Sequence, residues 1–197
     1  MTSDDILRFL FGAYRLARGD PRGMSFFDRT PEGALHSFTA ALVVLPIFVI
    51  VDAIQTAPLF GQTPWWALLA IGALAYAIRW TAFPVAMIHI VGLIGREARY
   101  PDFLVAYNWS AALVYPVYLP VVLVSAAGWL PVEAIGLLGL AVTIAALVYQ
   151  WYVTKVSLSV GGGMSAGLVA VDFALSLLIV NITLDMLQPV SSSVPGG

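Results

Sequence analysis

The chain has 197 residues, 60% hydrophobic and only 10% charged, with a formal net charge of −2 and no cysteine. Soluble domains carry about 25% charged residues, so this composition cannot cover a water-facing surface of ordinary polarity. It excludes disulfide and thiol chemistry and gives no footing for a nucleic-acid partner. With a mean hydropathy of +0.92, it points to an all-α polytopic membrane protein.

The first residues do not read as a signal peptide. The apolar run Ile6 to Phe11 is short, follows Asp4 and Asp5, and ends in no small-residue cleavage site. Ser3 to Arg18 reads instead as an amphipathic helix, with Ser3 as its cap and the two aspartates at the positive end of its dipole. Leu7, Leu10, Phe11 and Tyr14 share one face, and Arg8, Arg15 and Arg18 lie on the more polar side. The pattern suits a helix lying in a membrane interface with its arginines among lipid phosphates. The alternative is a solvated helix packed on the membrane domain. Gly19 to Thr30 is a polar linker, so residues 1–30 form a lead to the membrane domain of 31–187. The tail 188–197 is polar and uncharged.

Thr30-Pro31-Glu32 marks a helix start. Span 1 follows at about His36 to Ala57, with Asp52 inside it. Span 2 opens on the interfacial anchors Trp65 and Trp66, holds Arg79 and Pro84, and continues to Gly95. That stretch is longer than a bilayer needs, so it projects beyond the membrane or kinks at Pro84. Span 3, about Phe103 to Ala127, contains Asn108, Pro116 and Pro120, and the two prolines predict a kink. Trp129 anchors the next turn. Span 4 covers about Val132 to Val153. A glycine-rich loop, Lys155 to Gly163, precedes span 5 at about Ser165 to Leu187.

Every Lys and Arg outside the spans falls on one side of a five-span map: Arg8, Arg15, Arg18, Arg22, Arg29, Arg96, Arg99 and Lys155. The positive-inside rule makes that side cytoplasmic, with the C-terminus outside. Arginine outnumbers lysine, and Ala, Gly and Val abound, which matches a GC-rich bacterial source. The expected location is the inner membrane.

The arrangement resembles the Yip1 family. The likeness rests on the amphipathic lead, five spans, a basic loop between spans 2 and 3, and a proline-bearing third span. Tyr100 to Val122, YPDFLVAYNWSAALVYPVYLPVV, carries most of it, and Ala166 to Asp172 is similar to bacterial members. The resemblance covers roughly residues 37–182 and implies a five-helix bundle that works by contact with partner membrane proteins. The family's DLYGP signature is missing, so the implied contact is not with a GTPase.

Zinc-helix, nucleophile-elbow and Walker motifs are missing, so the chain reads as no enzyme, with no cofactor. His36 and His89 alone make no metal site. Gly163 and Gly167, like Ala166, Ala170 and Ala174, are spaced for close helix approach, either within the bundle or at a dimer seam. Glu133 and Asp185 fall at a boundary, whereas Asp52 and Asp172 fall inside spans. Depth counting places Arg79, Asp172 and Asn108 at one level and Asp52 nearer that of Asn181. It predicts an Arg79–Asp172 ion pair supported by Asn108, with Asp52 in a separate cluster. The alternative is that Arg79 snorkels to headgroups. Two functions follow: an interaction or membrane-organising scaffold, with lipid, other membrane proteins or itself as partner, or a small carrier using Arg79, Asp172 and Asp52.

Overall fold

The structure, a computed structural model, describes residues 2–187 and is entirely helical. The tail 188–197 lies outside the described residues. α1 spans Ser3–Ala17, a 3-10 turn spans Pro21–Phe26, α2 spans Pro31–His36 and α3 Thr39–Thr56. α4 spans Trp65–Leu93, α5 Tyr100–Ala126, α6 Val132–Leu158 and α7 Gly162–Leu187. Five helical stretches are long and apolar enough to cross a membrane: 31–59, 65–93, 97–126, 132–158 and 162–187. The five spans expected from sequence match these stretches in number and order.

Local chemistry sets the element ends. Thr2, not Ser3, caps α1: Asp5 N–H donates to Thr2 Oγ1 at 3.3 Å, and Thr2 N–H donates to Asp5 Oδ2 at 2.9 Å. This reciprocal box satisfies two donors at the helix start. Thr30 caps α2 as expected, accepting from Gly33 N–H at 3.0 Å. The expected first span is broken at Ser37 and Phe38, between α2 and α3. The expected glycine-rich loop shrinks to three residues. α6 runs on to Leu158 and stops where Ser159 turns left-handed at φ 52°. α4 and α5 continue through Pro84, Pro116 and Pro120, and α3 continues through Pro46.

α5 is the hub. It packs on α3 and α6, more lightly on α4, and also carries α1 and α2; α7 closes the bundle against α4 and α6. From Asp102 to Ala112, α5 is almost continuously buried, with Phe103, Ala106, Asn108, Trp109 and Ser110 at 0% exposure. Burial is concentrated at this end, called here the collar end. At the other end Trp65, Trp66 and Trp129 stand exposed.

α1 packs on the bundle, and by a face other than the one expected from sequence. Its buried face is Phe9, Gly12, Ala13 and Leu16, seated on α5 and α6. Phe9 lies 5.1 Å from the Trp109 ring, and Tyr149 donates its hydroxyl to the Ala13 carbonyl at 2.8 Å. Tyr152 reaches the Gly19 carbonyl at 2.6 Å. Most of the expected apolar face points the other way: Leu7, Phe11 and Tyr14 are exposed, and Leu10 alone of the four packs against the core. α1 thus has two apolar stripes, and protein takes the one centred on Phe9 and Ala13. The 3-10 turn folds back on α1 so closely that a Cβ at Gly23 would sit 2.5 Å from the Gly12 carbonyl oxygen. Only glycine permits that approach.

Two substitutions separate the faces of α1. Phe9→Ala should cost about 3–5 kcal/mol, the usual loss for a buried aromatic truncated to alanine. Leu7→Ala should cost less than 1 kcal/mol on the scale of ordinary surface changes. Thermal unfolding of the full chain in a neutral detergent reads both. Equal losses would mean that α1 is not docked by this face.

Candidate functional site

Four tyrosines and their polar partners lie along one face of α5. Tyr100, Tyr107, Tyr115 and Tyr118 are spaced by seven, eight and three residues, which puts all four on one side of a helix. Each finds a polar partner on another element. Tyr100 donates to the Pro84 carbonyl of α4 at 3.0 Å. Tyr107 reaches the Asp172 carboxylate of α7, 3.1 Å from Oδ1 and 3.3 Å from Oδ2. Tyr115 stands beside the Arg79 guanidinium of α4. Tyr118 and Thr143 of α6 share a hydrogen bond of 3.1 Å.

Aromatic packing fixes the tyrosine rotamers. Tyr107 lies 5.5 Å from both Phe83 and Phe103, and those two rings meet edge-on at 6.0 Å. Tyr115 stacks on Trp80 at 6.4 Å and 14°. The hydroxyls are therefore aimed by the core, and each ties α5 to a neighbouring helix.

Asn108 points to a different side. Its amide nitrogen donates to Ser37 Oγ at 2.7 Å, and Ser37 passes its own proton to the Ala34 carbonyl at 2.6 Å. Since the serine has one proton and has used it, Asn108 must present its NH2 group. The chain Asn108–Ser37–Ala34 locks the junction of α2 and α3 onto α5. At the start of α5, Asp102 accepts from Arg99 at 3.0 Å and pairs with Arg29 at 3.7 Å. This pins the linker to the same helix.

The expected Arg79–Asp172 pair does not form. Among the described residues no ion pair holds either side chain, and Asp172, Arg79 and Asn108 each have a separate partner. Depth counting matches levels along helices but carries no information about azimuth, and α4 and α7 turn these side chains to different stations of the tyrosine face. Asp52 lies against α4, its Oδ2 3.0 Å from where a Cβ on Gly72 would be. It does not join Asn181, whose amide is exposed and donates to the Leu177 carbonyl of its own helix at 2.8 Å. Gly163, Gly167, Ala166, Ala170 and Ala174 are all exposed on α7, so their spacing serves no packing within the bundle. Arg8 pairs with Asp5 at 3.4 Å, and Arg15 pairs with Asp20. Sequence reading missed Tyr107, Tyr115, Ser37 and Thr143. The period of the tyrosines in α5 was the available signal.

As chemistry, the arrangement is one carboxylate and one guanidinium, each half-buried between helices and met by a phenol. It ties helices together and holds no clustered metal ligands among the described residues.

Double-mutant cycles test the partners. Tyr107→Phe should destabilise by ~1–3 kcal/mol, because it leaves a buried acceptor without its donor. Asp172→Leu and Arg79→Leu should be additive to within ~0.5 kcal/mol, as expected of groups that do not touch. Chemical unfolding in detergent measures both; a strong Arg79–Asp172 coupling would restore the ion pair.

Comparison with family models, with curated proteins and with solved structures finds no match.

Proposed function

We propose that the chain is a non-enzymatic, five-span protein of a bacterial inner membrane, a Yip1-like interaction scaffold or membrane-organising component. The observation that carries this reading is how the polar groups inside the bundle are used. Asp172, Asn108, Tyr118 and Tyr100 each bond across to another element, as ties that fix helix register. A buried group committed to its neighbour is worth more as structure than as a stepping stone for a solute.

The exposed small face of α7 supports the same reading. Side chains such as Gly163, Gly167 and Ala170 let another membrane helix approach closely, and they face away from this bundle. The collar end, with its arginines, is the cytoplasmic side under the charge rule, and the exposed tryptophans belong at the opposite boundary.

A second reading, a small carrier, has one observation in its favour. Arg79 lies inside a span with a phenol beside it and, among the described residues, no carboxylate in ion-pair range. A cation of that kind in a bundle is a default transport candidate.

Purified chain in liposomes should move no protons, potassium or small anions above protein-free vesicles. Site-directed cross-linking from position 170 in native membranes should trap a membrane partner or a second copy. Flux that disappears with Arg79→Gln would hand the function to the carrier reading. For topology, single cysteines introduced at Gly61 and Arg99 into this cysteine-free chain should be labelled from opposite sides. Position 61 should react from outside, and the reverse pattern would invert the orientation.

A further inference from the structure

α1 is docked by one apolar face and carries a second. Leu7, Phe11 and Tyr14 follow at four and three residues and are 65%, 49% and 47% exposed. Arg18, four residues further on, ends the same stripe and lies over the Tyr14 ring at 5.8 Å. Beside this stripe, where the chain leaves α1, lies a crevice of about 350 Å³, lined by Phe11, Tyr14, Arg15, Arg18 and Asp20.

The charge in this crevice is unbalanced. Arg15 and Asp20 are joined by two hydrogen bonds, one of 2.9 Å from Nε. Arg22 reaches the same carboxylate, 2.9 Å from its backbone nitrogen and 3.9 Å from its Nε. The Arg15 hydrogen bond, then the Arg22 N–H, holds the Asp20 carboxyl below its ordinary range, so it stays ionised. Arg18 has no carboxylate in range among the described residues. Arg15 and Arg22 thus share one carboxylate and Arg18 has none, so about two positive charges stay uncompensated next to an exposed apolar stripe.

The bundle itself sets the height of this crevice. Tyr149 and Tyr152 hold the Ala13 and Gly19 carbonyls that flank Arg15 and Arg18. From Val132, at the tryptophan end of α6, to those two tyrosines is about 26–30 Å along the helix. That is the thickness of a bilayer's hydrocarbon core. The crevice therefore stands at the headgroup level of the leaflet on the collar side, with Leu7 and Phe11 beside it. A surface with apolar side chains and unpaired arginines at that level is complementary to a phospholipid: acyl chain on the stripe, phosphate on the guanidiniums.

We propose that this crevice is a binding site for the headgroup of an anionic phospholipid, its phosphate held by Arg18 and the free edge of Arg15. The proposal rests on the membrane-spanning reading and not on the scaffold role. Arg18 acts as the recognising charge and Asp20 as the residue that fixes Arg15 in place. The site favours lipids with a net negative headgroup, because a zwitterionic one brings its own cation to a spot that already has an excess.

Native mass spectrometry of the full chain, released from a neutral detergent with phosphatidylglycerol or phosphatidylcholine added, tests the site. The wild type should retain phosphatidylglycerol preferentially. Arg18→Gln should reduce that preference roughly fivefold, the effect of one basic residue at a membrane surface. The unfolding temperature and phosphatidylcholine retention should stay unchanged. Arg96→Gln, a basic residue at the same end but outside the crevice, should leave the preference intact. Equal retention of the two lipids by the wild type, or equal losses from Arg18→Gln and Arg96→Gln, would overturn the site. Competition by millimolar inorganic phosphate would make it a site for free anions and overturn the lipid assignment. A chain that stays monodisperse without detergent would instead sink the membrane-spanning reading itself.

Discussion

Half of one helix has no free face, and the other elements are arranged to supply its neighbours. From Asp102 to Ala112, α5 is enclosed by α1, α2, α3, α4 and α6. Such enclosure leaves no water for the polar groups it contains, so each that lacks a partner costs ~1–3 kcal/mol, and among the described residues Asn108 Oδ1 and Trp109 Nε1 have none. Asn108 is the sharpest case. Its donor needs an acceptor on an adjacent element, and the chain provides one by stopping α2 at His36 and turning at Ser37 before α3 begins. The break in the first span is thus tied to a single amide in the third.

Spans and turns were legible because length and hydropathy determine them. Runs of apolar residues bounded by Trp, Pro and Gly gave the number and order of the five long helices, and Thr30-Pro31 gave a helix start to the residue. Azimuth was not legible. Two stripes of α1, one through Leu7, Phe11 and Tyr14 and one through Phe9, Ala13 and Leu16, are both apolar, and periodicity cannot tell a lipid-facing stripe from a protein-facing one. The second wins because glycine at position 12 lets the linker close over it and because Phe9 meets Trp109. Arg79 and Asp172 failed for the same reason: matching depth on two helices is necessary for contact, but rotation about each helix axis decides it. That α5 is the hub was not legible either, because the number of neighbours around a helix does not follow from its own residues.

Helix lengths carry a consequence for the collar. α4, α5 and α6 have 29, 27 and 27 residues, or about 40 Å and more, against a hydrocarbon core of ~30 Å. With the tryptophans taken as one boundary, the surplus stands entirely at the collar end. That surplus is the part with a dense core: Met87, Val91, Phe103 and Leu158 are nearly inaccessible. Helices overhanging the bilayer would otherwise expose apolar residues to water, and α1, the linker and α2 cover part of that surface.

The opposite half is built on different terms. Along α6, Leu137, Leu140, Ile144 and Val148 are exposed, and the glycines at 136 and 139 touch nothing outside their own helix. In hydrocarbon no hydrophobic effect would draw these side chains together, so within a bilayer this half would rest on contacts of shape and on polar ties such as Tyr118 with Thr143. Polar ties of that kind are few here, and the small residues of α7 face outward. A bundle densely buried at one end and lightly tied at the other leaves an apolar flank exposed away from its core. Under the scaffold reading proposed above, the collar would preserve the fold while the flank meets a partner. A carrier would need the reverse freedom at the collar, where α5 is gripped on every side. The dense burial at that end is the physical argument for the contact reading proposed above.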